Sequence, residues 1–316
     1  MSAADKPSSS GVDTSVDAAV PPSLPPPSNQ KAPITAVLAA APSRADALLA
    51  HLFRCMQTRS GAETVLLFAC YASRLTGSVL EAAAGAAIRQ SARRLVALAF
   101  KLPPATTVAM SSTAPRPSLA ALALQLGGRF KALAAMISET RTMGRLWGLL
   151  GLYFAAKRLV LKSRAASSSS NEKNKLDPSP AEDASEALFD TLVAYAQVAS
   201  LIVYQASENV AFLSSKKVLP FAPATQGRLG LLSVRAWGLY VAMEGARLLV
   251  ERGRTTARDA EWAAAWDKSF YRNLAWAPLT VHWGSTTGGF LPDMAVSLLA
   301  FYPASGAMVD LWRSTA

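Results

Sequence analysis

The stretch SETRTMGRLWGLLGLYFAAKRLVLKSR, Ser138 to Arg164, has an apolar and aromatic middle with Arg and Lys at both ends. It reads as a membrane span, a buried core helix or a helix lying on a membrane, and the choice among these sets the fold. A helix rises about 1.5 Å per residue, and a bilayer core takes about 20 apolar residues. Leu146 to Ala156 supplies 11 uncharged residues between Arg145 and Lys157, about 16 Å of helix. That is short for a full crossing even if the flanking Lys and Arg snorkel, so an interfacial or packed helix is expected. Arg141, Arg145, Lys157, Arg158, Lys162 and Arg164 ring Trp147, Tyr153 and Phe154, and Trp and Tyr favour the headgroup level. Arg145, Trp147, Lys157 and Arg158 are therefore expected at a membrane interface. Gly144, Gly148 and Gly151 leave a small-residue face where another helix can approach.

Composition points the same way. The 316 residues are 51% hydrophobic and 17% charged, against about 25% charged in soluble domains. Mean hydropathy is positive, although much of the apolar content is Ala. That balance suits a helical protein in contact with a membrane, with an Ala-rich soluble helical protein as the alternative. The net charge is +11, and between Arg44 and Arg164 there are 17 Lys and Arg against 4 Asp and Glu. The whole positive excess lies in that block, which implies an anionic partner, lipid or nucleic acid. No zinc-finger spacing, RNP-like motif or basic zipper supports nucleic acid. Cys55 and Cys70 make neither a disulfide framework nor a metal site, and both read as buried thiols.

Low-complexity stretches divide the chain. Residues 1–43 read as a disordered tail, and Ser163 to Glu186 as a Ser/Pro-rich disordered linker. Between them lies a basic amphipathic helical half, 44–162, and after them a C-terminal helical membrane half, 187–316. The apolar period is helical throughout, with helices expected at about 62–80, 81–101, 118–136 and 139–162 among others. Residues 273–292, with Pro278, Gly284, Gly288, Gly289 and Pro292, read as a turn-rich connection. Thr191 to Ser207 and Met294 to Val309 hold 17 and 16 uncharged residues, so one or two marginal transmembrane helices are expected there. The fold class that follows is all-α, a membrane-associated helical bundle with amphipathic interfacial helices. Two buried helices of a soluble bundle are the alternative for those two segments.

Gly85 to Leu102, GAAIRQSARRLVALAFKL, is the clearest amphipathic pattern. At 100° per residue, Ile88, Ala92, Leu95, Val96, Ala99 and Leu102 fall within about 80° of one direction. Arg89, Arg93, Arg94 and Lys101 occupy the opposite face. An apolar stripe opposed by cations is the pattern of helices that lie in a lipid interface, and a solvated bundle face is the competing reading. Catalysis has little support. His51 lies in an apolar helical stripe, and His282 with Ser285 and Asp293 lacks a nucleophile elbow. GSTTGG lacks the Lys of a phosphate loop. No catalytic residue, cofactor site or metal site is expected.

Three stretches together resemble the peroxin-11 family of peroxisomal membrane proteins, most of all its filamentous-fungal C-type branch. They are SETRTMGRLWGLLGLYFAAKRLV (138–160), YQASENVAFLSSKKVL (204–219) and NLAWAPLTVHWG (273–284). The resemblance implies a helical integral protein of the peroxisomal membrane that elongates and remodels it before fission. It also implies self-association into a homo-oligomer, contact with the division machinery, and insertion of basic amphipathic helices into anionic lipid. A channel or carrier for small metabolites is the alternative that the same resemblance carries.

Overall fold

The computed structural model describes residues 34–101, 103, 118–173, 181–255 and 259–316. Among the described residues the regular structure is α-helix with no strand, the all-α class expected. The helices are α1 (Ile34–Met56), α2 (Arg59–Ala99), α3 (Ser118–Arg145), α4 (Gly148–Lys173), α5 (Ala181–Ser215), α6 (Pro223–Arg254), α7 (Ala260–Gly284) and α8 (Asp293–Ser314). The chain divides into a unit of residues 1–48 and a unit of residues 49–316. In the first, residues 34–48 are helix, and residues 45–48 are exposed. The second holds the bundle.

Several boundaries differ from the sequence-based expectation. Helix α1 begins at Ile34, inside the stretch expected to be a disordered tail; residues 1–33 lie outside the described residues. Helix α4 runs to Lys173 and α5 starts at Ala181, so most of the expected linker is helical, and 174–180 lie outside the described residues. Its helical parts carry Ala and Glu among the serines, residues whose helix propensity is high even where apolar content is low. The two helices expected at 62–80 and 81–101 are one helix of 41 residues. The break expected from Leu102 to Ser118 falls almost wholly outside the described residues.

Helix α7 continues through Pro278 to Gly284, where a connection was expected. An interior Pro costs about 3 kcal/mol. Packing on both sides of it outweighs that cost: Asn273 Nδ2 donates to the Val241 carbonyl at 2.9 Å, and Leu279 is fully buried.

Helix α2 packs on α3 and α8, α5 on α6 and α4, and α7 joins α6 to α8. The α2–α3 contact follows a seven-residue period. Arg141 bonds Glu63 at 2.9 Å, and the Cys70 thiol donates to the Ala134 carbonyl at 3.3 Å. A Cβ at Gly77 would stand 2.8 Å from the Gly127 oxygen. Ala84 and Ala120, both buried, continue the same antiparallel register. A seven-residue repeat keeps one seam facing its partner along a left-handed supercoil. Small residues along that seam let the backbones approach.

The bundle buries many small and polar side chains beside a few large apolar ones such as Val241, Leu248, Trp266, Leu279 and Val296. Its buried residues include Ser78, Ser200, Gln205, Asn209, Ser214, Ser233, Thr280 and Ser297, with Ala at seven further buried positions. Many large apolar side chains face outward, among them Leu192, Ile202, Val203, Leu239 and Leu298. Some buried polar groups are bonded across helices: the Ser200 hydroxyl donates to the Ala236 carbonyl at 2.6 Å, and Ser78 and Ser297 hydroxyls are 2.9 Å apart. Among the described residues four helices are long and apolar enough to cross a membrane, α2, α3, α5 and α8. The expected one or two spans, at 191–207 and 294–309, are within α5 and α8. The other two belong to the basic half.

Candidate functional site

The stretch 138–164 is not one helix. It breaks at Leu146 and Trp147 between α3 and α4. The break is held by α5: Asn209 Nδ2 donates to the Leu146 carbonyl at 3.2 Å, and Asn209 in turn accepts from Gln205 at 2.8 Å. Gly148 lies against Gln205, where a Cβ would meet Oε1 at 2.8 Å. Of the three glycines expected to pack helices, Gly148 does so. Gly144 and Gly151 have open space where a Cβ would point. Their spacing alone did not show which side of each helix is occupied.

Arg145 was expected at a membrane interface and turns inward instead. Its Nε and Nη2 donate to both oxygens of Glu208 at 2.8 and 2.7 Å, and Nη1 lies 3.8 Å from Glu63. Two carboxylates draw a guanidinium from the surface because charge-assisted, bidentate bonds are the strong ones. Trp147, Lys157 and Arg158 are exposed, as are Tyr153 and Phe154 beside them.

The three quoted stretches converge in space. The first meets the second through Arg145–Glu208, Leu146–Asn209 and an ion pair between Glu139 and Lys216. The third closes the same space with Trp276 and Trp283. Together with α2 and α6 they enclose a cavity of about 400 Å³. One part of its wall is aromatic. Tyr71 and Trp276 have ring centroids 5.8 Å apart at 61°, Trp237 and Trp276 are 5.4 Å apart at 66°, and Trp237 stacks near Trp283 at 6.2 Å. Another part is ionic, formed by Glu63, Arg141, Arg145 and Glu208. Beneath lies an apolar cluster of Leu279, Val296 and Ala300. Sequence reading singled out Arg145 and the Trp-rich stretch but not Trp237 or Tyr71, which lie in unremarkable helical runs.

A second cavity, of about 560 Å³, lies between α2, α3, α5 and α8. Its charges form a linked set: Asp293 accepts from Ser78 at 2.7 Å and pairs with Arg74 at 2.8 Å and Lys131 at 2.7 Å, and Lys131 reaches Glu81 at 2.5 Å.

The amphipathic segment is the outer half of α2. Helix α3 begins at Ser118, which the register places opposite residue 86. Residues from there to Ala99 project past the end of α3. Arg89, Arg93 and Arg94 are exposed, and so are Leu95 (50%), Val96 (49%) and Phe100 (85%). Ile88 is half-buried, and Lys101 lies exposed in the turn that follows the helix. From Ala92 onward the segment is exposed.

The histidines have packing partners. His51 stacks on Trp312 with centroids 3.7 Å apart, and its Nε2 lies 3.1 Å from Thr315 Oγ1. His282 Nδ1 accepts from the Leu291 N–H at 2.9 Å, which puts the proton of the neutral ring on Nε2. Ser285 bonds Thr287, and Asp293 is held in the second cavity, so the structure does not assemble these three. Among the described residues no group of three His, Cys, Asp or Glu could hold a metal ion. Both cysteines are buried and free, as expected. No protein-family model, curated protein or solved structure matches the chain.

Proposed function

We propose that the protein is a peroxisomal membrane protein that elongates and remodels its membrane before fission. The reading joins the resemblance of 138–160, 204–219 and 273–284 to one physical observation, the exposure of the apolar windows of the long helices. Of the most apolar 18 residues in each of the four long helices, between 6% and 28% are buried within the protein. Apolar surface removed from water is worth about 25 cal/mol per Å², so such helices call for lipid or a partner around them. The inner half of α2 is clamped by α3 and α8. The outer half lies in the headgroup layer of anionic lipid, Leu95, Val96 and Phe100 inward and the arginines outward. Wedged into one leaflet, it favours curvature. Self-association and contact with the division machinery complete the reading.

Liposome flotation tests it. Each basic residue near an anionic surface is worth about 1 kcal/mol. Replacing Arg89, Arg93 and Arg94 by Glu is expected to lower affinity for phosphatidylserine vesicles by about a hundredfold or more and to shorten the organelles. Unchanged binding would remove this helix from the mechanism. A channel or carrier is the second reading, favoured by the charged set of Arg74, Glu81, Lys131 and Asp293 on α2, α3 and α8. Planar-bilayer conductance sensitive to Lys131→Gln would support it, and a silent bilayer would oppose it.

A further inference from the structure

The cavity at the meeting of the three stretches has a composition that a packing void does not need. Three tryptophans and two tyrosines, Tyr204 being the second, share it with two arginines and two glutamates. We propose that it binds a zwitterion that joins a quaternary ammonium to a phosphate, the phosphocholine class.

Each half of that ligand has a matching wall. Quaternary ammonium groups are held over the faces of aromatic rings, Trp best of all. Tyr71, Trp276 and Trp237 meet at 61° and 66°, so their rings form adjoining walls rather than a single stack. Phosphate is held by guanidinium forks. Arg141 and Arg145 are already set in plane by Glu63 and Glu208, each through Nε and Nη2. Each guanidinium has five N–H donors to share, and Arg145 Nη1, 3.8 Å from Glu63, lies beyond hydrogen-bond range of it. The aromatic wall comes largely from α6 and α7 and the ionic wall from α2, α3 and α5, so the two halves of the ligand meet different helices.

Charge balance selects the zwitterion over either of its parts. Two arginines against two glutamates leave the cavity formally neutral. A lone anion or a lone cation would bring uncompensated charge into a half-buried space, which is costly. A zwitterion brings none. The depth also fits a headgroup. Arg145 ends α3, Glu63 is four residues from the start of α2, and Glu208 is seven from the end of α5. All three lie within about 11 Å of a helix end, near the level where lipid headgroups lie if those helices cross a bilayer. That last point rests on the membrane reading above; the match of walls and charge does not.

The test uses the full chain in a maltoside detergent, which carries neither ammonium nor phosphate. Phosphocholine, choline and inorganic phosphate are titrated separately by calorimetry. A second arm places the protein in nanodiscs of phosphatidylglycerol doped with phosphatidylcholine spin-labelled on its ammonium, and reads tryptophan quenching. Saturable phosphocholine binding, at least tenfold tighter than choline or phosphate, supports the site with a soluble source. Quenching that saturates and is relieved in Trp276→Leu, with weak soluble binding, supports it with lipid as the source. The proposal is overturned if both halves bind as tightly as the whole, or if neither arm saturates. It is also overturned if Trp276→Leu and Tyr71→Leu, melting as the parent does, leave binding unchanged. The comparison of whole and halves on the parent protein stands even if those variants fail to fold. Failure of the vesicle flotation experiment leaves the soluble arm untouched, so the two readings fail separately.

Discussion

Replacing Gly77 by Ala tests the α2–α3 seam at its narrowest point. The added Cβ would stand 2.8 Å from the Gly127 carbonyl oxygen, 2.8 Å from Lys131 Cγ and 3.3 Å from the Lys131 nitrogen. Two of these three are backbone atoms, which cannot swing aside. Carbon–oxygen contacts relax at about 3.3–3.6 Å, so the helices must part by about 0.5 Å or more at the crossing. Overpacking of this kind costs about 1–3 kcal/mol, while Gly→Ala in a helix returns about 1 kcal/mol. The net expectation is a loss of about 0–2 kcal/mol. The neighbouring Gly128 is the control, because a Cβ there meets nothing within 4 Å; Gly128→Ala should gain about 0.5–1 kcal/mol. Propensity cancels in the comparison, so the two variants should differ by about 1–3 kcal/mol. Unfolding in mild detergent measures the difference. Cys70, one repeat away and buried against Ala134, reports on the seam itself: in a Cys55→Ser background, Gly77→Ala should speed its labelling by a thiol reagent. Equal stability of the two variants with unchanged labelling would refute the close-packed seam.

Lys217 is a non-glycine residue with φ of 61°, at the left-handed position of a Schellman cap in which the Val218 N–H donates to the Leu213 carbonyl at 2.9 Å. Lys217→Gly should stabilise the protein by about 1 kcal/mol in thermal unfolding. Arg145→Gln leaves Glu208 without its bidentate partner and should cost about 2–3 kcal/mol; a double-mutant cycle with Glu208→Gln should recover part of that loss. In α6, the Arg247 guanidinium, with help from Gln197, holds the Glu244 carboxyl below its usual range. A depressed carboxylate stabilises fully above its unfolded value and loses that contribution as pH falls through the folded value. Glu244→Gln should therefore flatten the acid limb of a stability–pH profile while changing the neutral region less.

Periodicity exposed the helices because their apolar residues recur at helical spacing. The apolar windows of α5 and α8 were visible for the same reason. The cationic face from Arg89 to Lys101 was legible because like charges cluster on one side. The α2–α3 seam was not. Its positions on α2 are Glu63, Cys70, Gly77 and Ala84, and on α3 Ala120, Gly127, Ala134 and Arg141. Six of the eight are small and the other two, Glu63 and Arg141, form an ion pair, so they share spacing rather than strong hydrophobicity and a hydrophobic period passes over them. Arg145 was misplaced because a charge beside an aromatic run suggests an interface; the carboxylate that draws it inward lies 63 residues away at Glu208. The cavity depends on Tyr71, Trp237 and Trp276 from three helices, and nothing local to any one of them marks it.

The length of α2 ties the structural and functional halves of the reading together. Its inner part is fixed by small residues every seventh position, by α8 through Ser78 and Asp293, and by the ion pair at Glu63. The outer part has none of these and carries arginines opposite uncovered Leu95, Val96 and Phe100. A helix is stiff, so force on the outer part is delivered to the clamped part rather than lost in a hinge. Inserting glycines after Ala84 would break that connection while leaving both the seam and the cationic face intact. If the outer half acts as a lever, such an insertion should preserve vesicle binding and abolish tubulation. If it acts only as an anchor, tubulation should survive with binding, and the remodelling step would have to lie elsewhere in the bundle.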